Sequence, residues 1–237
     1  MEYTLEKTTM KCRIAELNVE IINRGSHIRR ISAGYEADFS HPDILLSASD
    51  EDVQREIENG SGPFAETVAF SRKFGQALPR FDGFMMHAAT FTVGDKCIAL
   101  MAKSGTGKST HMLLWKQLFG ENMEIINGDK PAVKIVDGKP FAYGTPWCGK
   151  EGLSVNKGAQ LTDLCFIRRS EQNSVAKLPK QDCLKFLLGQ VVIPEGSENI
   201  IKLMELLDKM LQNCNVWEIF CNTDISAAEL SSRTILR

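Results

Sequence analysis

The sequence has no Cys-x-x-Cys pair, no long apolar run and no excess of either charge, and each absence removes a class of protein. Its seven cysteines, at positions 12, 97, 148, 165, 183, 214 and 221, are odd in number and scattered. Disulfide scaffolds and structural zinc sites use paired spacings. These residues therefore read as reduced thiols, several of them serving as small buried hydrophobes. No segment approaches the roughly 20 consecutive apolar residues needed to cross a bilayer. The polar, acidic start Met1-Glu-Tyr-Thr-Leu-Glu-Lys is unlike a secretory leader. Lysine and arginine total 28 against 30 aspartates and glutamates, so bulk charge gives no reason to expect nucleic acid as a partner. No internal repeat or low-complexity tract is present. The expectation is a cytoplasmic protein with no membrane segment.

What is there fits a soluble α/β protein. A chain of 237 residues with 43 % hydrophobic and 24 % charged residues can bury one large domain, or one domain with a small appendage. Residues 11–22 alternate as a half-buried strand. Residues 50–58 are too charged to place. Gly60-Ser-Gly-Pro63 is a break, and 64–74 read as a helix. A boundary falls at Leu78-Pro-Arg-Phe-Asp-Gly83, dividing an N-terminal module, 1–80, from a larger unit, 81–237.

Beyond that boundary, 85–93 and 97–102 read as strands joined by a hairpin turn at Gly94-Asp95-Lys96. Residues 109–119 follow as a helix and 123–126 as a short strand. A second hairpin, 132–136 with 141–143, turns at Asp137-Gly138. Residues 164–168 and 216–221 read as strands; 180–188, 199–211 and a terminal segment from Ser226 read as helices. Strands and helices in alternation point to an α/β core.

The segment Ala102-Lys-Ser-Gly-Thr-Gly-Lys-Ser-Thr110 fits the phosphate-loop pattern, with alanine in place of the first glycine. Gly105 and Gly107 permit the backbone conformations that turn successive N–H groups inward around phosphate oxygens. The following helix directs its positive end to the same point. Ser104, Gly105, Thr106, Gly107, Lys108, Ser109 and Thr110 are thus the candidate nucleotide-binding residues. Lys108 would reach the β- and γ-phosphates and the Ser109 hydroxyl would ligate Mg²⁺. A chance glycine turn is the bland alternative, and the apolar strand before the loop and the helix after it argue against that. ATP and Mg²⁺ are the expected cofactors.

Asp129 ends the next strand soon after Lys108, much earlier than the strand-terminal aspartate of motor ATPases and transporters. A carboxylate so placed can hold Mg²⁺ or accept a proton from an attacking hydroxyl. Its bland reading is a solvated turn residue in Gly-Asp-Lys. His87 lies in the strand before the loop, where a histidine among apolar residues is more often packed core than functional.

Four features in order resemble the HPr kinase/phosphorylase catalytic domain and its shorter relatives, which share the phosphoenolpyruvate carboxykinase-type P-loop fold. They are His-Ala before the loop, Ser-Gly-x-Gly-Lys-Ser in it, a carboxylate on the following strand, and Gly144-Thr-Pro-Trp-Cys-Gly-Lys-Glu151. The tail Val216-Trp-Glu-Ile-Phe-Cys-Asn-Thr-Asp-Ile-Ser-Ala-Ala is similar to the end of those relatives, so the likeness covers roughly 84–237. It implies a P-loop kinase core with a small N-terminal α+β module. It also implies a place for His87 beside the phosphates, for Glu151 near the metal, and for Asp129 in the acidic pair that includes the base for an acceptor serine. The catalytic candidates are therefore Asp129, Lys108, His87 and Glu151, and the metal candidates Ser109, Asp129 and Glu151. Lys150 is a further cation at hand. The family's second, adjacent aspartate is absent, since Gly128-Asp129-Lys130 stands there. Its longer C-terminal phosphorolysis signature is absent too.

The resemblance implies a kinase moving the γ-phosphoryl of ATP to a hydroxyl, serine of a protein or peptide above all. A small-metabolite kinase and a catalytically silent nucleotide-binding regulator are the alternatives, and a homo-oligomer is left open. The 11–22 strand, if at a sheet edge, would suit an extended peptide. His111 reads as partly exposed surface, and Arg168 and Arg169 as solvated loop with a transition-state arginine as the sharper option. Cys148 reads as a packing residue, and His27 and His41 are unassigned.

Overall fold

A computed structural model describes residues 7–103 and 105–237. The chain opens with a hairpin, β1 (Thr8–Ile14) and β2 (Leu17–Asn23), followed by a short helix, α1 (Ser26–Ile31), and the strand β3 (Ile44–Ser47). These strands form a three-stranded sheet in the order β1-β2-β3. The half-buried strand expected over 11–22 is thus two strands. Ala15 and Glu16, at φ of 51° and 64°, make the turn between them, which lacks the glycine or asparagine that marks such turns. β2 is internal in this sheet, so the expected single edge strand is replaced by two edges, β1 and β3.

Helix α2 (Asp50–Glu58) fills the segment that resisted placement. Ser49 and Asp52 form a reciprocal capping box, and three acidic residues occupy the first turn, where the helix dipole favours them. Its charge is therefore part of why it is helical. Helix α3 (Ala65–Ala77) buries Ala69, Phe70 and Phe74 under the small sheet, in a core that also takes in Tyr143 and Trp147 from further along the chain.

Next come β4 (Gly83–Met85), β5 (Ala89–Val93), β6 (Lys96–Met101), α4 (Lys108–Phe119), β7 (Met123–Asn127), β8 (Ala132–Val136) and β9 (Lys139–Tyr143). The chain ends with β10 (Gly158–Gln160), β11 (Asp163–Arg169), β12 (Ser174–Lys177), α5 (Leu184–Leu188), α6 (Ser197–Asn213), β13 (Asn215–Cys221) and α7 (Ile225–Ile235). Two further sheets result, β10-β9-β8-β4 and β12-β13-β11-β6-β5-β7. With three sheets and seven helices among the described residues, the protein is mixed α/β. No helix among those residues is long and apolar enough to cross a membrane.

The strand expected over 85–93 is divided. β4 pairs with β8 in the four-stranded sheet, whereas β5 pairs with β6 and β7 in the six-stranded one. His87 lies in the crossing between them. Alternation along β6 explains how the sheets stack. Cys97, Ala99 and Met101 face the four-stranded sheet and α6, while Ile98 and Leu100 face α4 and α7. Trp115 of α4 is fully buried against Phe91, with ring centroids 5.2 Å apart. Burying a side chain of this size is worth about 2–3 kcal/mol.

All seven cysteines are free and buried. Burial pushes the thiols up, Cys214 to about 12 and Cys12, Cys183 and Cys221 to about 11. No activated thiolate is to be expected of them.

Candidate functional site

β11 runs parallel to β6 and to β13, and β7 runs the same way because β5 is antiparallel to both β6 and β7. The carboxyl ends of β6, β7, β11 and β13 therefore share one edge of the six-stranded sheet, where open α/β sheets place their ligand crevice. The glycine loop leaves β6 at the centre of that edge. Gly105 and Gly107 sit at φ of 74° and 117°, the left-handed region that side chains disfavour. Thr106 N–H closes a turn on the Lys103 carbonyl at 3.1 Å. Ser104 lies outside the described residues. Lys108 is the first residue of α4 and is buried, Ser109 half-buried and Thr110 exposed.

Three of the expected residues converge at one point. A single ring nitrogen, His87 Nε2, lies 2.9 Å from Lys108 Nζ and 3.0 Å from Asp129 Oδ1. With a proton that nitrogen donates to the carboxylate; without one it accepts from the ammonium. Lys130, adjacent to Asp129, donates to its second oxygen at 2.5 Å. Burial by itself would raise the Asp129 carboxyl, but the His87 hydrogen bond and the Lys130 ammonium outweigh it and hold the group well below the usual carboxylate range. Burial lowers Lys108, and Asp129 and Glu151 offset part of that loss.

Glu151 is exposed on the loop after β9. A Cβ added to Gly149 would lie 3.0 Å from the Asp129 Cβ and 3.4 Å from Glu151 Oε2, so Gly149 lets the two acidic side chains flank one space. Among the described residues no three side chains form a ready-made metal cluster. A magnesium ion that bridges substrate phosphates needs no such cluster; one or two carboxylates, a hydroxyl, waters and phosphates suffice. The oxygen donors of Ser109, Asp129 and Glu151 fit that chemistry. Lys150 is exposed beside Glu151.

Asp129 is held by residues that the sequence reading passed over. The fully buried Asn127 accepts from the backbone N–H of Asp129 at 2.9 Å and of Lys130 at 2.7 Å. Its amide donates to the Thr145 carbonyl at 3.0 Å. Ser154 donates to that same carbonyl at 2.9 Å and accepts from the Tyr35 hydroxyl at 2.6 Å, and Trp147 donates to the Thr67 carbonyl at 3.0 Å. Tyr35 and Thr67 belong to the first 80 residues, so that part of the chain braces the segment carrying Glu151. An asparagine followed by Gly-Asp at a strand end is an Asx-turn signature; that signal marked Asn127.

Two expectations change. His111 is not surface: it is 2 % exposed, with Nε2 3.0 Å from Ser231 Oγ, and burial pushes it down to about 4. Arg169 is not a free loop residue, because Nε donates to the Thr106 carbonyl at 3.2 Å and its Nη2 to the Gly105 carbonyl. Arg168 points elsewhere, pairing with Glu218 and covering the Phe186 ring. Cys148 is buried, and burial raises its thiol.

No family model matches the chain, and no curated protein matches it. Among solved structures, the HPr(Ser) kinase/phosphatase from Coxiella burnetii is similar at 10 % identity and a TM-score of 0.37, over 64 % of this chain and 96 % of that one. A likeness this slight carries no inference about the present site.

Proposed function

We propose that this protein is an ATP-dependent phosphotransferase that moves the γ-phosphoryl group to a hydroxyl, serine of a protein or peptide. The observation that carries the reading is the meeting of His87, Lys108 and Asp129 beside a glycine loop that opens a helix. Phosphoryl transfer asks mainly for positioning and charge neutralisation. In this reading the loop amides and Lys108 hold the phosphates, and Ser109, Asp129 and Glu151 hold Mg²⁺. That ion, when bound, neutralises charge on the transferring group.

Asp129 orients the acceptor hydroxyl. A carboxylate held so far down is a weak base, so it takes the hydroxyl proton late, once the new bond to phosphorus has made that proton acidic. His87 links the lysine to the carboxylate and can exchange partners with one proton. Lys150 supplies charge at the outer side. Residues 1–80 act as a module that supports the 144–154 segment, and 81–237 as the kinase-like unit. The serine acceptor rests on the order of motifs in the sequence, and the cytoplasm is the place of action that the composition favours.

Incubating the protein with ATP, Mg²⁺ and peptide pools or lysate from its own source, followed by mass spectrometry, tests this. A phosphorylated serine or threonine product that is lost with Lys108→Ala supports the reading. ATP binding without any phosphorylated peptide or protein moves the assignment to a metabolite kinase or a silent nucleotide-binding regulator.

A further inference from the structure

The glycine loop has two flanks on the sheet edge, and they differ in chemistry. On the β5/β7 flank stand His87, Asp129 and Lys130, with Lys108 directed toward them. On the β11/β13 flank lies a cleft of about 540 Å³, lined by Gly105, Thr110, Arg169, Glu171, Asn222 and Thr223 among others. That volume lies within the range of small-molecule sites.

The cleft is built rather than left over. Its outer wall is the turn after β11 tied to the turn after β13. Asn222 N–H donates to Asn173 Oδ1 at 3.0 Å, Asn222 Nδ2 donates to the Glu171 carbonyl at 3.3 Å, and Asp224 N–H donates to Asn222 Oδ1 at 3.0 Å. Arg169 links this wall to the loop through the Gly105 and Thr106 carbonyls. Asn222 is thus committed to structure. The Glu171 carboxylate and the Thr223 hydroxyl, both exposed, have no hydrogen bond or ion pair among the described residues.

We propose that this cleft holds the nucleoside of the nucleotide, with the Glu171 carboxylate accepting hydrogen bonds from the ribose diol. The inference rests on the phosphate-loop reading above. A triphosphate seated on the loop has its reacting end drawn to the Lys108 flank, so its nucleoside leaves toward the opposite flank, where the cleft opens. A carboxylate is acceptor only and a vicinal diol offers two donors, which pairs them naturally. The acceptor then enters from the β7 side, past Glu151, without crossing the nucleoside.

Calorimetry on the full chain with Mg²⁺–ATP, Mg²⁺–2′,3′-dideoxy-ATP and Mg²⁺–tripolyphosphate tests this. Thr223→Trp, which puts a large side chain into the cleft lining, should weaken ATP at least about tenfold, while tripolyphosphate stays within about twofold. Wild type should prefer ATP over the dideoxy compound, and Glu171→Ala should erase that preference. Unchanged ATP affinity in Thr223→Trp, or a diol preference surviving in Glu171→Ala, overturns the assignment. Photolabelling of wild type with 8-azido-ATP needs no variant to fold. Label on peptides spanning 169–173 or 221–224 supports the cleft, and label confined to peptides around His87 or Gln190 overturns it. If tripolyphosphate binds as tightly as ATP, the cleft assignment fails and the phosphate loop stands. If wild type binds neither, the phosphate-loop reading fails and the cleft with it.

Discussion

Acid should loosen this protein through His111 in a window set by its burial. The imidazole is 2 % exposed in the first turn of α4, packed toward Ser231 of α7, and its Nδ1 has no partner among the described residues. Burial pushes it down to about 4, whereas an unfolded histidine titrates near 6.5. Between those values the unfolded chain binds a proton that the folded chain refuses. The contribution is therefore complete above about pH 6.5 and is lost as the pH falls toward 4. Integrating the two titrations gives a loss of about 2–3 kcal/mol between about pH 7.5 and 4.5, with a slope of about 1 kcal/mol per unit around pH 5.

Urea unfolding of wild type and His111→Gln across about pH 7.5 to 4.5 measures it. The variant carries a constant penalty for lost ring packing, and all other titrating groups are common to both proteins. Wild type should lose about 2–3 kcal/mol relative to the variant as the pH falls. Parallel curves would refute the reasoning, because they would mean that His111 takes up its proton without opening the α4–α7 contact.

Three further outcomes follow from the site. Asp129→Asn keeps one oxygen for the metal, so ATP binding by calorimetry should weaken less than about tenfold while single-turnover transfer falls at least about a hundredfold; unchanged transfer removes Asp129 from the chemistry. Gly144→Ala would place a Cβ 1.8 Å from the Val155 carbonyl oxygen and 2.7 Å from that of Ile126, so the backbone must move. It should cost about 3 kcal/mol or more in urea unfolding, and a loss below about 0.5 kcal/mol contradicts that close approach. Tyr35→Phe removes the partner of Ser154 at 2.6 Å and should cost about 1 kcal/mol. A stability equal to wild type would show that Tyr35 does not brace the 144–154 segment.

The elements written in the sequence are those whose cause is local. The Gly94-Asp95 and Asp137-Gly138 turns announce their hairpins because the turn conformations need those residues. The same holds for the loop over 102–110, whose glycines sit at the positive φ values that its pattern implies. Helices α3, α4, α6 and α7 follow from apolar spacing. The Ala15-Glu16 turn hid inside an alternating run, and α2 was obscured by the charges that cap it.

Other features were decided only by tertiary structure. An apolar run over 85–93 looks the same whether it lies in one sheet or crosses between two, since sheet membership depends on partners far along the chain. Here Phe84 pairs with Val133 and Phe91 with Ile98, and His87 is left at the crossing, free to meet Lys108 and Asp129. His111 is buried because α7 folds back onto α4, which nothing near His111 encodes. Arg169 reaches the glycine loop because β11 lies beside β6. The sequence by itself determined the glycine loop and the α/β alternation, through local backbone preference. The fold decided which side chains share the site, because contacts between residues distant in sequence depend on how the sheets pack.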